Sequence, residues 1–292
     1  MPNKYSEMDE WSDVDVALFK ESDELVIDND TDILNQPVTA SSGSSQNALT
    51  VVSEGDSWFD YKISADLIDC LRRYHGYKIK NYATPGDTLE NMIYGTQTNR
   101  QFERVTPQIK IVLERVKNDQ PDVFLLSGAG NDIAGDQFGS FLHHSESELG
   151  VLKRDLAVNT ISIEFRKFYQ DLISKIHSVS PNTHIFTHGY AYARPTGDGV
   201  GILGVSFIGP WLLPALGRKG IDPETSGRQV IEELIDLFNE MLQSLDDEFE
   251  HFHYVDLRSF IDDDDWRDEM HLKSSAFRLA SDQFDIAIKN IM

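Results

Sequence analysis

From residue 48 onward the apolar positions follow two alternating rhythms. Five short runs read as strands: ALTVVSE from Ala48, YKIKNYA from Tyr77, PDVFLLSGAG from Pro121, THIFTHGY from Thr183 and HFHYVDL from His251. Between them apolar residues recur every three or four positions. That spacing predicts helices over 63–76, 101–119, 152–179, 224–249 and 274–291. Strands alternating with helices predict an α/β fold of three layers, α/β/α, around a five-stranded parallel sheet. In such sheets ligands gather beyond the carboxyl ends of the strands. Any chemistry is therefore expected just after each strand.

The first 46 residues do not share this pattern. Residues 1–35 hold eleven acidic residues against Lys4 and Lys20, and TASSGSSQN follows at 39–47. Residues 1–46 are thus expected to form an acidic, Ser-rich tail and linker ahead of one domain over 47–292. Asp28, Asp30 and Asp32 alternate as at the start of a calcium loop. The sixth position lacks Gly and the twelfth is Thr39, so no calcium site is expected there.

Charge narrows the class of partner. With 26 basic and 49 acidic residues the formal charge is −23, which disfavours nucleic acid and anionic lipid surfaces. No apolar run is long enough to span a bilayer. The acidic start has neither basic flank nor apolar stretch, so a cytoplasmic protein is expected, or one exported by a route that leaves no such mark. The single cysteine, Cys70, excludes an internal disulfide and falls in an apolar helical pattern, where it reads as core.

The strand ends carry the candidate chemistry. Gly55-Asp56-Ser57-Trp58 follows the first, Gly86 the second (at the expected start of a helix), Gly130-Asn131-Asp132 the third, and Asp268 and His271 the fifth. A serine hydroxyl becomes a nucleophile when a base takes its proton, and His suits that task. Asp268, three residues before His271, is spaced to hold the imidazole Nδ1–H. The Ser57 and Gly86 amides and the Asn131 side chain are candidate donors to an oxyanion. Each piece alone also reads as a turn or cap; their ordered conjunction at successive strand ends favours chemistry.

These blocks resemble the SGNH (GDSL) hydrolase family over residues 48–292. The resemblance places Ser57 as nucleophile, Gly86 and Asn131 at the glycine and asparagine positions, and Asp268-Glu269-Met270-His271 as the Asp-x-x-His block. It implies a flavodoxin-like sheet and hydrolysis of esters or thioesters, with no cofactor and no metal. Trp58 replaces the usual Leu of the first block. Asp56 is expected to hold the turn.

Residues 189–224 are too long for a plain connection and too apolar for a solvent loop. They read either as cover for the core or a subunit contact, or as a wall or lid of the substrate pocket. In the second reading Trp58, Tyr190 and Trp211 are candidate substrate contacts. His143, His144, His184, His251 and His253 read as surface or core residues, and His188, at a strand end, as the one nearest the site. The run Asp262–Asp265 reads as a solvated turn or, ahead of the His271 loop, as an acidic field that acts on that imidazole or disfavours anionic substrates. The function expected is a serine hydrolase cleaving small-molecule, lipid or carbohydrate carboxylic esters through an acyl-enzyme. The alternatives are an acyltransferase using the same site and a non-catalytic binding module on the same fold.

Overall fold

The computed structural model describes residues 49–202 and 205–292. The expected tail over 1–46, with its aspartate alternation, lies outside them. The sheet strands are β1 (Val51–Glu54), β2 (Ile79–Asn81), β3 (Val123–Leu126), β4 (His184–His188) and β7 (Phe252–Val255). They run parallel in the order β2-β1-β3-β4-β7. Between β4 and β7 the chain adds an antiparallel hairpin, β5 (Val200–Ile202) and β6 (Val205–Ile208).

Alternation along the strands separates two apolar layers. Val51, Val123, Leu125, Phe186 and Val255 pack with α1 (Leu67–His75) and with α6 (Ser274–Ile291). Their neighbours Val52, Phe124, Leu126, Ile185 and Phe252 pack on the other face. There they meet α2 (Leu89–Tyr94), α3 (Gln108–Asp119), α4 (Arg166–Val179) and α5 (Arg228–Asp246). This is the three-layer α/β/α architecture. Cys70 is buried in the α1 layer, where burial pushes its thiol up to about 12.

Local chemistry sets the element ends. The Asp66 carboxylate caps α1 by accepting from Asp69 N–H, and Gly76 closes the helix at φ 75°. The expected helix over 101–119 begins only at Gln108, because Pro107 precedes it in extended conformation and Thr98 and Arg104 pair in a β-bridge instead. The helix over 152–179 is continuous in outline, with a π-helical stretch at Asn159–Phe165 before α4. The segment 189–224 holds the β5–β6 hairpin and a short helix, Leu213–Arg218. Leu212, Ala215, Leu216 and Ile221 join the α2–α5 layer. Among the described residues no helix is long and apolar enough to cross a membrane.

Candidate active site

Ser57 stands in the turn that leaves β1. Gly55 makes the turn possible, since a Cβ there would meet Ser127 Cβ and Phe59 at 3.0 Å. Asp56 Oδ1 accepts from Trp58 N–H (2.9 Å) and Ser127 Oγ–H (2.7 Å), and the Asp56 carbonyl accepts from Phe59 N–H (3.1 Å) and Asp60 N–H (3.2 Å). Asp56 thus holds the turn.

His271 arrives from the loop after β7. Its Nε2 lies 2.8 Å from Ser57 Oγ, and its Nδ1 lies 2.9 and 3.0 Å from the two Asp268 oxygens. The loop is closed by a β-bridge between Trp266 and Leu272 and by Arg267 N–H donating to the His271 carbonyl at 2.8 Å. Asp268 is buried, which alone would raise its carboxyl. Bonds from the His271 ring and from the Met270 and His271 amides outweigh that and hold it below the ordinary carboxylate range. Tyr61 adds a further donor, its hydroxyl 3.0 Å from Asp268 Oδ2, and its ring stacks on the imidazole at 4.2 Å. This chain of bonds can take a proton from the serine hydroxyl and keep the imidazole in one orientation.

The oxyanion candidates converge through the backbone. Thr84 N–H donates to the Gly55 carbonyl (2.9 Å), which ties the loop after β2 to the serine turn. Gly86 lies not at the start of a helix but in a turn before α2, whose cap is Thr88. Asp87 N–H donates back to the Thr84 carbonyl, and this turn needs φ +76° at residue 86, a conformation that suits glycine. Asn131 Nδ2 donates to the Asp87 carbonyl at 2.9 Å, which fixes which end of the amide is NH₂ and leaves its second hydrogen for a ligand. Asp132 accepts from Leu89 and Glu90 N–H, so the block after β3 also caps α2. Burial raises the Asp132 carboxyl to about 7 and that of Asp87 to about 6. Among the described residues no protein group accepts a hydrogen bond from the Ser57 or Gly86 amide.

The substrate contacts expected from sequence need correction. Trp58 is 1% exposed and belongs to the core: its ring stacks on His188, and its Nε1–H donates to the Met270 carbonyl at 2.9 Å. It steadies the His271 loop from behind. Tyr190 also has its hydroxyl committed, donating to Asp56 Oδ2 (2.9 Å) and accepting from Gly130 N–H (3.1 Å), so only its ring is left to face a ligand. Trp211 is half-buried and edge-on to His271 at 5.6 Å. His188 is a buried packing residue whose imidazole is pushed down to about 4 by burial.

The remaining candidates lie away from the serine. His184 Nδ1 sits 2.8 Å from His253 Nε2 within the β4–β7 pair, and burial pushes His253 down to about 4. The run Asp262–Asp265 forms a capped turn, and Asp263 pairs with Arg228 of α5. Among the described residues no group of three or more His, Cys, Asp or Glu side chains is placed to hold a metal ion. Sequence reasoning missed Tyr61, Asp132 and Glu269. Tyr61 left a trace in the aromatic cluster directly after Ser57; Asp132 sits in a block that also reads as a turn, and Glu269 in the Asp-x-x-His block with no role of its own.

Against the His271 loop, though lined by neither Ser57 nor His271 itself, lies an apolar cavity of about 620 Å³ including the open space at its mouth. Gly130, Ile133 and Tyr190 form one side, Ile231, Leu234, Ile235 and Phe238 of α5 the far wall, and Leu212, Trp266, Glu269 and Met270 the side nearest the His271 loop.

With this geometry in place, comparison with known proteins is informative. The profile of the GDSL-like Lipase/Acylhydrolase family matches residues 50–277. No curated protein sequence matches the chain at a significant level. Among solved structures, the lipase Lip_vut3 from a goat rumen metagenome aligns at 14% identity and TM-score 0.52, over 82% of this chain and 97% of its own. An extracellular lipase from Streptomyces rimosus aligns at 13% identity and TM-score 0.51, over 82% and 100%. At these identities the likeness is one of fold.

Proposed function

Because this chain belongs to the GDSL-like Lipase/Acylhydrolase family, we propose that it is a serine esterase working through Ser57, His271 and Asp268. The observation that carries the reading is the continuous chain from Ser57 Oγ through the imidazole to a buried carboxylate, 2.8 Å and 2.9 Å long at its two links.

Ser57 Oγ attacks the ester carbonyl as His271 Nε2 takes its proton. Asp268 holds the Nδ1–H and stabilises the imidazolium that forms. The oxyanion is met by the Ser57 and Gly86 amides and the remaining Asn131 Nδ2–H. Collapse of the tetrahedral intermediate breaks the C–O bond, and His271 Nε2–H protonates the leaving alcohol. Water then attacks the acyl-serine with His271 again as base, the C–Oγ bond breaks, Ser57 Oγ regains its proton from His271 Nε2–H, and the carboxylic acid leaves.

The cavity supports an apolar acyl group. Its walls are aliphatic and aromatic. A sugar in the same place would leave its hydroxyls without partners. The test is direct. A fluorophosphonate probe should label the wild type and leave Ser57→Ala unlabelled, and the variant should lose hydrolysis of aryl esters. Equal labelling of both proteins would remove Ser57 from its role.

A further inference from the structure

Glu269 occupies a motif position between Asp268 and His271, but its side chain turns away from both. It is fully buried. Its Oε1 accepts from Gly197 N–H (2.9 Å) and Leu213 N–H (3.0 Å), and its Oε2 from Leu212 N–H (2.6 Å) and Trp211 N–H. The Glu269 amide donates in turn to the Asp198 carbonyl at 3.3 Å. One residue therefore gathers both ends of the stretch that contains the β5–β6 hairpin and fastens them to the His271 loop. Among the described residues no Lys or Arg forms an ion pair with it, so these amides alone compensate the buried charge. Three successive N–H groups, 211 to 213, converge on it as a small anion nest.

Four donors require an acceptor with no hydrogen of its own. An ionised carboxylate supplies that, whereas a neutral acid or an amide would turn a donor toward one pair of N–H groups. Burial acts against the arrangement by raising the Glu269 carboxyl, and the four amides act for it. Leu212 and Glu269 are also walls of the apolar cavity, and Trp211 stands against His271.

We propose that Glu269 is a positioning residue: its carboxylate fixes 211–213, and with them the Leu212 wall of the apolar cavity, and so sets selectivity for longer apolar acyl groups. This rests on ester hydrolysis through Ser57 as proposed above. The comparison is wild type against Glu269→Gln on p-nitrophenyl acetate and p-nitrophenyl octanoate, with active molecules counted by fluorophosphonate labelling. Acetate does not fill the cavity, so it reports only what the variant does to the His271 loop, and the octanoate-to-acetate ratio of kcat/KM isolates the wall. For octanoate KM should rise by about tenfold or more, because losing one bond to a charged acceptor is enough for that factor. Parallel losses on both esters, or no loss on either, would overturn the proposal. Should the variant not fold, hydrogen exchange of the wild type carries the test. Slow exchange of the Trp211, Leu212 and Leu213 amides supports the clamp, and exchange at solvent rates overturns it. Absence of both labelling and turnover in the wild type would sink the esterase reading instead, and is told apart by that.

Discussion

Tyr61→Phe separates two roles that one side chain combines. The substitution removes the hydroxyl that donates to Asp268 Oδ2 at 3.0 Å and keeps the ring that stacks on His271 at 4.2 Å. A hydrogen bond to a charged group contributes about 1.5–3 kcal/mol. The Asp268 carboxylate keeps its bonds from the His271 ring and from two amides, so the lower end applies. About 1.5 kcal/mol corresponds to a melting temperature lower by roughly 3–6 °C for a domain of this size. Asp268 ionises below the ordinary range in the folded chain, so its stabilisation is present above the unfolded value of about 3.9 and fades as pH falls through the lower folded one. The gap between the two proteins should therefore be full near pH 7 and close in acid below pH 4. Catalysis should change little near neutrality, within about threefold, because the carboxylate stays ionised and the imidazole stays oriented; losing the carboxylate itself would cost about 10⁴. Calorimetry across pH and ester kinetics at pH 7.5 provide the readings. A kinetic loss approaching that of Asp268→Asn, or a stability gap that does not narrow as pH falls through the acid range, would refute the reasoning.

Two further substitutions probe the oxyanion and the cavity. Asn131→Ala removes a side-chain donor and its tie to the Asp87 carbonyl; kcat should fall by about 10²–10³ with KM nearly constant, as steady-state kinetics would show. Ile235→Trp narrows the cavity from α5. It should lower kcat/KM for octanoyl esters by about tenfold or more while acetyl esters are spared, and equal effects on both would place the acyl chain elsewhere.

The sheet and the meeting of Ser57, Asp268 and His271 were legible because they obey local rules. Alternation marks each strand, and Gly-Asp-Ser, Gly-x-Asn-Asp and Asp-x-x-His sit where the fold exposes them. What stayed hidden depends on direction or on distant partners. Trp58 adjoins Ser57, yet in a helical turn neighbours diverge by about 100°, so adjacency to the nucleophile said nothing about facing the ligand. Glu269 carried no role in the sequence because its four donors come from residues 197 and 211–213, far off in the chain. The β5–β6 hairpin was obscured by glycines that weaken any period. The late start of α3, by contrast, was readable from Pro107 and was overrun.

Ser57 Oγ and His271 Nε2, which share a proton in the proposed mechanism, belong to residues 214 positions apart in the chain. A chain still being made carries its hydroxyl early and receives its base only when the last strand, loop and helix are in place. On this reading an unfinished or clipped polypeptide is chemically silent, and hydrolysis switches on together with completion of the sheet. Counting reactive serines therefore counts molecules that have finished folding.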